Sequence, residues 1–458
     1  MKKKKTFDLG TITGKCVDYT FDGKGIVKTN TKPCFVDALL VGEEADIKLN
    51  YQKSEMYFGK ILKLHNLSPN RIKPLCPVST ACGGCCFQNL KYEEQLKFKQ
   101  KKVKDALYKI GHLNVNVEPT IGMENPYHYR NKIQMPIGMN QKKQIISGFY
   151  RTDSHEIIPI NECFIEDERA SKIINTLKAL MKKHKILPYN EDTRVGIIRH
   201  CLIRTSHYYP QIMVVLVTNA DSFPGRNNLV KDLHAECKEI TTIVQNINTR
   251  DTNVIMGEKE RILMGKEFII DELCGVKFQI SSKSFYQVNP TQTEKLYETA
   301  IKLANVTKDD VVLDAYCGIG TIGLITSKYA KQVVGVEIVK DAIKDANNNA
   351  RINNIDNVEF YCDDAGDFIL NQFNKGFNYD VVIMDPPRKG SDEKFLSILL
   401  KTLPKRVVYV SCDPSTLARD LKYLSKSYDI KKVVPVDMFP QTYHVETVVL
   451  LETKQTKK

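Results

Sequence analysis

Between residues 10 and 64 apolar and polar positions alternate in five short runs, 10–16, 25–28, 34–38, 45–49 and 57–64, separated by turn formers such as Asp22-Gly23 and Val41-Gly42. Such period-two alternation predicts strands, and five short strands with outward lysines predict a small OB-like β-barrel, a shape that commonly offers one face to single-stranded nucleic acid. From 91 to 111, Leu96, Val103, Leu107 and Ile110 recur among many lysines, predicting a basic amphipathic helix ended by Gly111. Its polar face is either solvated or a phosphate contact. A hairpin over 133–138 and 145–150, a helix over 167–184 and strands at 196–204, 211–218 and 242–248 predict an α+β domain. Beyond residue 290 helices alternate with apolar strands at 311–314, 332–336, 358–362, 379–384 and 406–411, and a last strand falls at 448–451. That is the pattern of a doubly wound, Rossmann-like α/β sheet. Three domains are expected, over 1–69, 70–275 and 276–458.

A chain of 458 residues exceeds one core, in keeping with that division. Lys plus Arg (67) outnumber Asp plus Glu (54), and the excess of 13 favours RNA or DNA as partner. The lysine clusters at 2–5 and 454–458 read as solvated ends. Neither a signal peptide nor an apolar run of membrane-spanning length is present, so a cytoplasmic protein is expected. In that reducing compartment the 13 cysteines point to metal ligation or thiol chemistry rather than disulfides.

Cys76, Cys82 and Cys85 lie on a loop whose Gly83 and Gly84 permit tight turns, and Cys163 is a distant fourth. Four sulfurs without a nearby histidine suit a [4Fe-4S] cluster or zinc, and C-x₅-C-x₂-C favours the cluster over paired zinc knuckles. A complete set of four makes the centre closed and structural. Cys86 reads as a bystander. Tyr127-His-Tyr-Arg130-Asn131-Lys132 interleaves aromatics with cations, as an unstacked RNA base requires or as the packed end of a hairpin would.

In the last domain, Gly318, Gly320 and Gly323 form a G-x-G-x-x-G turn. By itself it suggests a dinucleotide; Asp314 just before it favours S-adenosylmethionine, because a carboxylate suits a ligand amine and repels a pyrophosphate. Glu337, at the end of the second strand, can take the two ribose hydroxyls. Asp363 and Asp364 stand near the expected adenine edge or cap a helix. Gln287 can bond the amino acid end of the cofactor or belong to the start of the next helix. Asp385-Pro386-Pro387-Arg388 holds the Asp385 carboxylate rigidly over the cleft. Arg388 replaces the aromatic that exocyclic-amine methyltransferases carry there.

Cys412 ends the fifth strand, and Asp413-Pro414 starts a helix with a cap followed by proline. A thiol beside a helix N-terminus is expected to favour its thiolate. Adding to C6 of uracil, it would turn C5 into a nucleophile toward a sulfonium methyl, after which a base must remove the C5 proton. Glu446 in His444-Val445-Glu446-Thr447 is the candidate base, with His444 a second.

The combination D-A-Y-C-G-I-G, M-D-P-P-R-K-G, V-S-C-D-P and H-V-E resembles bacterial RNA uracil-5-methyltransferases across essentially the whole chain. The four-cysteine pattern and an N-terminal segment similar to a TRAM domain, with its Gly23-Lys24-Gly25-Ile26 turn, resemble the branch that acts on 23S rRNA. The resemblance implies Cys412 as nucleophile, Glu446 as proton acceptor, and Gln287, Tyr316, Glu337 and Asp385 as S-adenosylmethionine contacts. It implies Cys76, Cys82, Cys85 and Cys163 as [4Fe-4S] ligands, and a monomer acting on rRNA. The T-loop of tRNA is the alternative substrate, and an inert iron-sulfur RNA-binding protein a more distant one.

Overall fold

The computed structural model describes residues 9–151, 154–251 and 253–454; the lysines at 2–5, 457 and 458 lie outside the described residues. Strands β1 (Thr11–Tyr19), β2 (Gly25–Val27), β3 (Cys34–Val36), β4 (Glu44–Lys53) and β5 (Met56–Leu64) close into a barrel in the order β1-β2-β3-β5-β4. Alternate residues, Val27, Cys34, Val36, Ala45 and Ile47 among them, fill its interior, as the period-two pattern requires. The buried Glu43 carboxylate accepts from Arg71 Nε (2.5 Å) and Nη2 (2.6 Å), tying the barrel to the chain that leaves it.

Helix α1 (Tyr92–Lys109) follows the cysteine-rich loop, and Gln95 and Lys99 are buried along with its apolar residues. One face is therefore neither solvated nor open to phosphate, contrary to the simplest amphipathic reading. A central sheet has the order β12-β11-β10-β9-β6-β7-β8. Its elements are β6 (Lys132–Met139), β7 (Ile145–Tyr150), β8 (Ile157–Pro159), α2 (Glu168–Lys183), β9 (Ile198–Thr205), β10 (Ile212–Thr218), α3 (Arg226–Glu236), β11 (Ile240–Ile247) and β12 (Lys259–Met264). Every residue of β9 and β10 is buried because both faces are covered. Cys201, Ile203, Val214 and Leu216 face α2 and α3, while Leu202, Met213 and Val215 join the core of the C-terminal half.

A hairpin, β13 (Phe268–Leu273) with β14 (Val276–Ser281), straddles the expected boundary at residue 275. Ile269, Leu273, Phe278 and Ile280 bury themselves in the core shared by the C-terminal sheet and one face of the central sheet. Then come α4 (Pro290–Ala304), β15 (Val311–Ala315), α5 (Thr321–Thr326), β16 (Gln332–Glu337), α6 (Lys340–Ile352), β17 (Val358–Cys362), α7 (Ala365–Asn374), β18 (Val381–Met384), α8 (Glu393–Thr402), β19 (Arg406–Ser411), α9 (Pro414–Leu424), β20 (Tyr428–Val436) and β21 (Glu446–Thr453). The sheet order β17-β16-β15-β18-β19-β21-β20 is parallel through β19, with β21 inserted antiparallel between β19 and β20. In such a doubly wound sheet, ligands bind beyond the carboxyl ends of the parallel strands. Among the described residues no helix is long and apolar enough to cross a membrane.

Candidate active site

The carboxyl ends of β15, β16, β18 and β19 open into a cleft of about 670 Å³, lined by Gln287, Tyr316, Glu337, Asp385, Cys412 and Glu446. The six C-terminal residues that the resemblance implies thus meet in one place. Register explains the closest juxtaposition. Ser411 pairs with Thr447 in the antiparallel β19–β21 ladder, and one residue further along that register Cys412 comes close enough to Glu446 for the carboxylate to act on its thiol. Asp385 directly follows the neighbouring parallel strand β18.

Asp413 caps α9 by accepting from Ser415 N (2.8 Å) and Thr416 N (3.1 Å), with Pro414 in the first helical turn. The same helix grips the 385–391 loop. Thr416 Oγ1 donates to Arg388 O (3.2 Å), Arg419 Nη2 to Lys389 O (2.9 Å), and the buried Asp420 carboxylate accepts from Ser391 N (2.9 Å) and Tyr409 OH (2.6 Å). Gly390 completes this contact at φ +78°, where a Cβ would stand 2.5 Å from Arg419 Nη2 and 2.6 Å from Asp420 Oδ2.

The turn after β15 is held in left-handed conformations at Tyr316 (φ +65°), Gly318 and Gly320. For a tyrosine this is strained, and its hydroxyl is anchored within 3.0 Å of Ser391 Oγ while its ring packs edge-on against Phe395. Asp314 spends one oxygen on Gly323 N (2.8 Å), so it orders the turn as well as facing the cleft. Glu337 receives Gly318 N (3.3 Å) and Val339 N (3.0 Å). Asp364 caps α7 through Asp367 N (3.0 Å). The backbone of Gln287 and Val288 is pinned by Asn131, through Nδ2 to Gln287 O (3.2 Å) and N to Val288 O (2.9 Å).

The charges run against expectation at Cys412. Burial pushes its thiol up to about 12, the Glu446 and Asp385 carboxylates add to this, and Arg388 opposes it. The first free N–H groups of α9 donate to Asp413 and are not spent on the Cys412 sulfur. Burial also raises Glu446 to about 8, Asp385 to about 7 and Asp314 to about 8. Burial lowers His444 to about 4, leaving a neutral ring beside Phe439 and Tyr443. A cleft crowded with acids that burial keeps partly protonated suits a cationic ligand, and a sulfonium methyl donor has that charge.

Sequence reasoning left out Phe439 and Tyr297, which also line the cleft. Their only signal was the fold. Within the 127–132 segment, Arg130 reaches the cleft, but Tyr129 is buried with its hydroxyl on Pro440 O (3.0 Å) and is a packing residue rather than a base-stacking one.

The four remaining candidates lie elsewhere. Cys76, Cys82 and Cys85 share a neighbourhood in which burial and nearby thiols raise Cys82, and Cys85 to about 12. Cys163 feels the charge of Cys85, and backbone groups of Ile165 and Glu166 bond its sulfur. Four thiols fit a four-sulfur centre in kind, yet among the described residues no three Cys, His, Asp or Glu side chains stand close enough to share a metal ion. Cys86 turns aside toward Tyr443 and Gly23.

Residues 227–454 match the family described as tRNA (Uracil-5-)-methyltransferase. The chain is 45% identical over its whole length to an uncharacterized RNA methyltransferase of Clostridium tetani, covering 98% of that protein. It is 44% identical over 96% of its length to one of Staphylococcus aureus (strain MRSA252), covering 98% of that protein. Among solved structures it is similar to the Pyrococcus abyssi tRNA (uracil-54, C5)-methyltransferase in complex with S-adenosyl-L-homocysteine, with TM-score 0.76 and 28% identity over 96% of this chain and 100% of that one.

Proposed function

From the premise that this chain belongs to the tRNA (uracil-5-)-methyltransferase family of S-adenosylmethionine-dependent RNA methyltransferases, we propose that it makes 5-methyluridine in 23S rRNA, as a monomer, by covalent catalysis. What supports the covalent route is the register that carries Cys412 to Glu446 at the mouth of a cleft rich in carboxylates.

Cys412, once deprotonated, adds to C6 of the target uracil; the C5–C6 electron pair moves toward C5 and O4, and C5 would take the methyl group from the donor's sulfonium, whose sulfur keeps the bonding pair while the C6–Cys412 bond persists. Glu446 then removes the C5 proton, the double bond re-forms and Cys412 leaves as thiolate. Asp385, Glu337, Tyr316 and Gln287 hold the methyl donor, which brings a positive charge among carboxylates that burial keeps high. That charge favours the ionised form of Glu446. Methylation should vanish in Cys412→Ala, and Glu446→Gln should leave enzyme and methylated RNA joined through Cys412. A Cys412→Ala protein with full activity would refute the route.

The choice of 23S rRNA is supported by the barrel and the four-cysteine pattern. A second reading, tRNA, is favoured by the named target of the Pyrococcus abyssi protein. Mapping 5-methyluridine in cellular rRNA and tRNA with and without the gene decides between them. The same reading gives Cys76, Cys82, Cys85 and Cys163 a structural [4Fe-4S] cluster. Purification without oxygen, followed by iron and acid-labile sulfide assays, tests it, and zinc alone would overturn it.

A further inference from the structure

The connection 437–445 leaves β20 and enters β21, and the Val436–Glu446 pair closes it. Its seat therefore sets where the Glu446 carboxylate and the His444 ring stand. One stripe of α1, residues 92, 95, 99 and 102 at helical spacing, makes much of that seat from far upstream in the chain. Lys99 is fully buried; its ammonium donates to Asp437 Oδ1, also fully buried, and to Phe439 O at 3.0 Å. The other Asp437 oxygen accepts from Tyr92 OH (2.8 Å), and Lys102 Nζ donates to Tyr443 O (2.9 Å). Gln95 and Gln441 exchange bonds, Gln95 Nε2 to Gln441 Oε1 and Gln441 N to Gln95 Oε1, each 3.0 Å. Gln441 sits at φ +70°, a conformation a non-glycine residue keeps only when its surroundings impose it. Its carbonyl accepts from both Cys86 N and Phe87 N at 3.1 Å, so the cysteine-rich loop bears on the same segment.

A buried ion pair is a weak way to gain stability, since apolar residues of the same volume do as well or better; what it does fix is one geometry. We propose that Lys99 and Gln95 are positioning residues for the proton-removal step, holding 437–445 so that Glu446 faces C5 of a uracil carried on Cys412. This rests on the covalent reading above. With the seat loosened, thiolate addition and methyl transfer proceed, but the C5–H bond is broken slowly. The C6–S bond then persists and methylated adduct builds up.

The test uses the full-length chain with S-adenosylmethionine and an RNA that the unsubstituted protein methylates. Two variants are compared, Lys99→Met/Asp437→Asn, which leaves no buried charge unpaired, and Gln95→Met. Three quantities are read: turnover, covalent adduct on ordinary uridine RNA, and the rate of adduct formation on 5-fluorouridine RNA, which has no C5 proton to remove. Turnover is expected to fall roughly 10- to 100-fold, the cost of a displacement on the ångström scale. Adduct on uridine RNA should become a major species, and the 5-fluorouridine rate should stay within about twofold. Unchanged turnover in both variants overturns the proposal. So does a parallel fall in turnover and in the 5-fluorouridine rate, which would mark a merely structural role. If the unsubstituted protein methylates uridine yet never forms the 5-fluorouridine adduct, the covalent reading itself fails and this one with it.

Discussion

Cys412 is surrounded by acids, and one of them governs two measurable properties. Because burial raises Glu446 to about 8, its neutral form stabilises the fold fully below the ordinary carboxylate range near pH 4 and that stabilisation is lost as pH rises through about 8. Glu446→Gln cannot ionise. The variant should therefore melt with the parent near pH 4 and progressively above it toward pH 8, by an amount on the order of a few kcal/mol. Equal melting at both pH values would contradict the assignment. Since the Glu446 charge also raises the Cys412 thiol, the same variant should be alkylated at Cys412 faster than the parent at pH 9; a slower reaction would mean that the two side chains do not face each other. The place of Cys412, Glu446 and Asp385 at one cleft was legible in the sequence because each adjoins a strongly apolar strand whose end the alternation fixes. Their titration was not, because it depends on burial and on Asp413 occupying the N–H groups that the thiol was expected to use.

Helix α9 joins Cys412 to the 385–391 loop, so changes in that loop should alter methyl-donor binding before they alter folding. Gly390→Ala forces a Cβ into Arg419 and Asp420 at a left-handed φ and should weaken S-adenosylmethionine binding about tenfold, read by calorimetry. Unchanged binding would show that the loop does not position Asp385. Asp413→Ala removes the cap and should cost about 1 kcal/mol of stability, read by denaturant unfolding. At this scale β15, β16, β18 and β19 were legible as apolar runs. Strand β20 was not, because a bulge between Ile430 and Lys432 and exposed Asp429, Lys431 and Lys432 break its alternation. Helix α3 buries only Leu229 and Leu233 and carries no clear apolar stripe. The buried face of α1 was hidden too, because Gln95 and Lys99 read as solvated until the 437–445 connection is laid against them.

Across the whole molecule, the excess of 13 positive charges and the barrel both suit an RNA partner. On the barrel, exposed Tyr51 stacks on Phe58 with centroids 4.7 Å apart, and Phe35 meets Phe58 edge-on. Phe58→Ala should weaken RNA binding roughly tenfold, within the range for losing a base-stacking surface, while S-adenosylmethionine binding stays the same. RNA affinity unchanged by the substitution would move the contact off this face. The barrel and the two large sheets were legible from changes of hydrophobic period along the chain. The packing of the β13–β14 hairpin was not, since only tertiary structure shows which core takes Phe278 and Ile280. The central claim, that a sulfur and a carboxylate set opposite each other by strand register take turns on one uracil, is tested most directly by mass spectrometry of the protein after incubation with 5-fluorouridine RNA and S-adenosylmethionine. The account predicts a peptide whose Cys412 carries a methylated 5-fluorouracil nucleotide. Efficient methylation of ordinary uridine with no modified Cys412 peptide would contradict it.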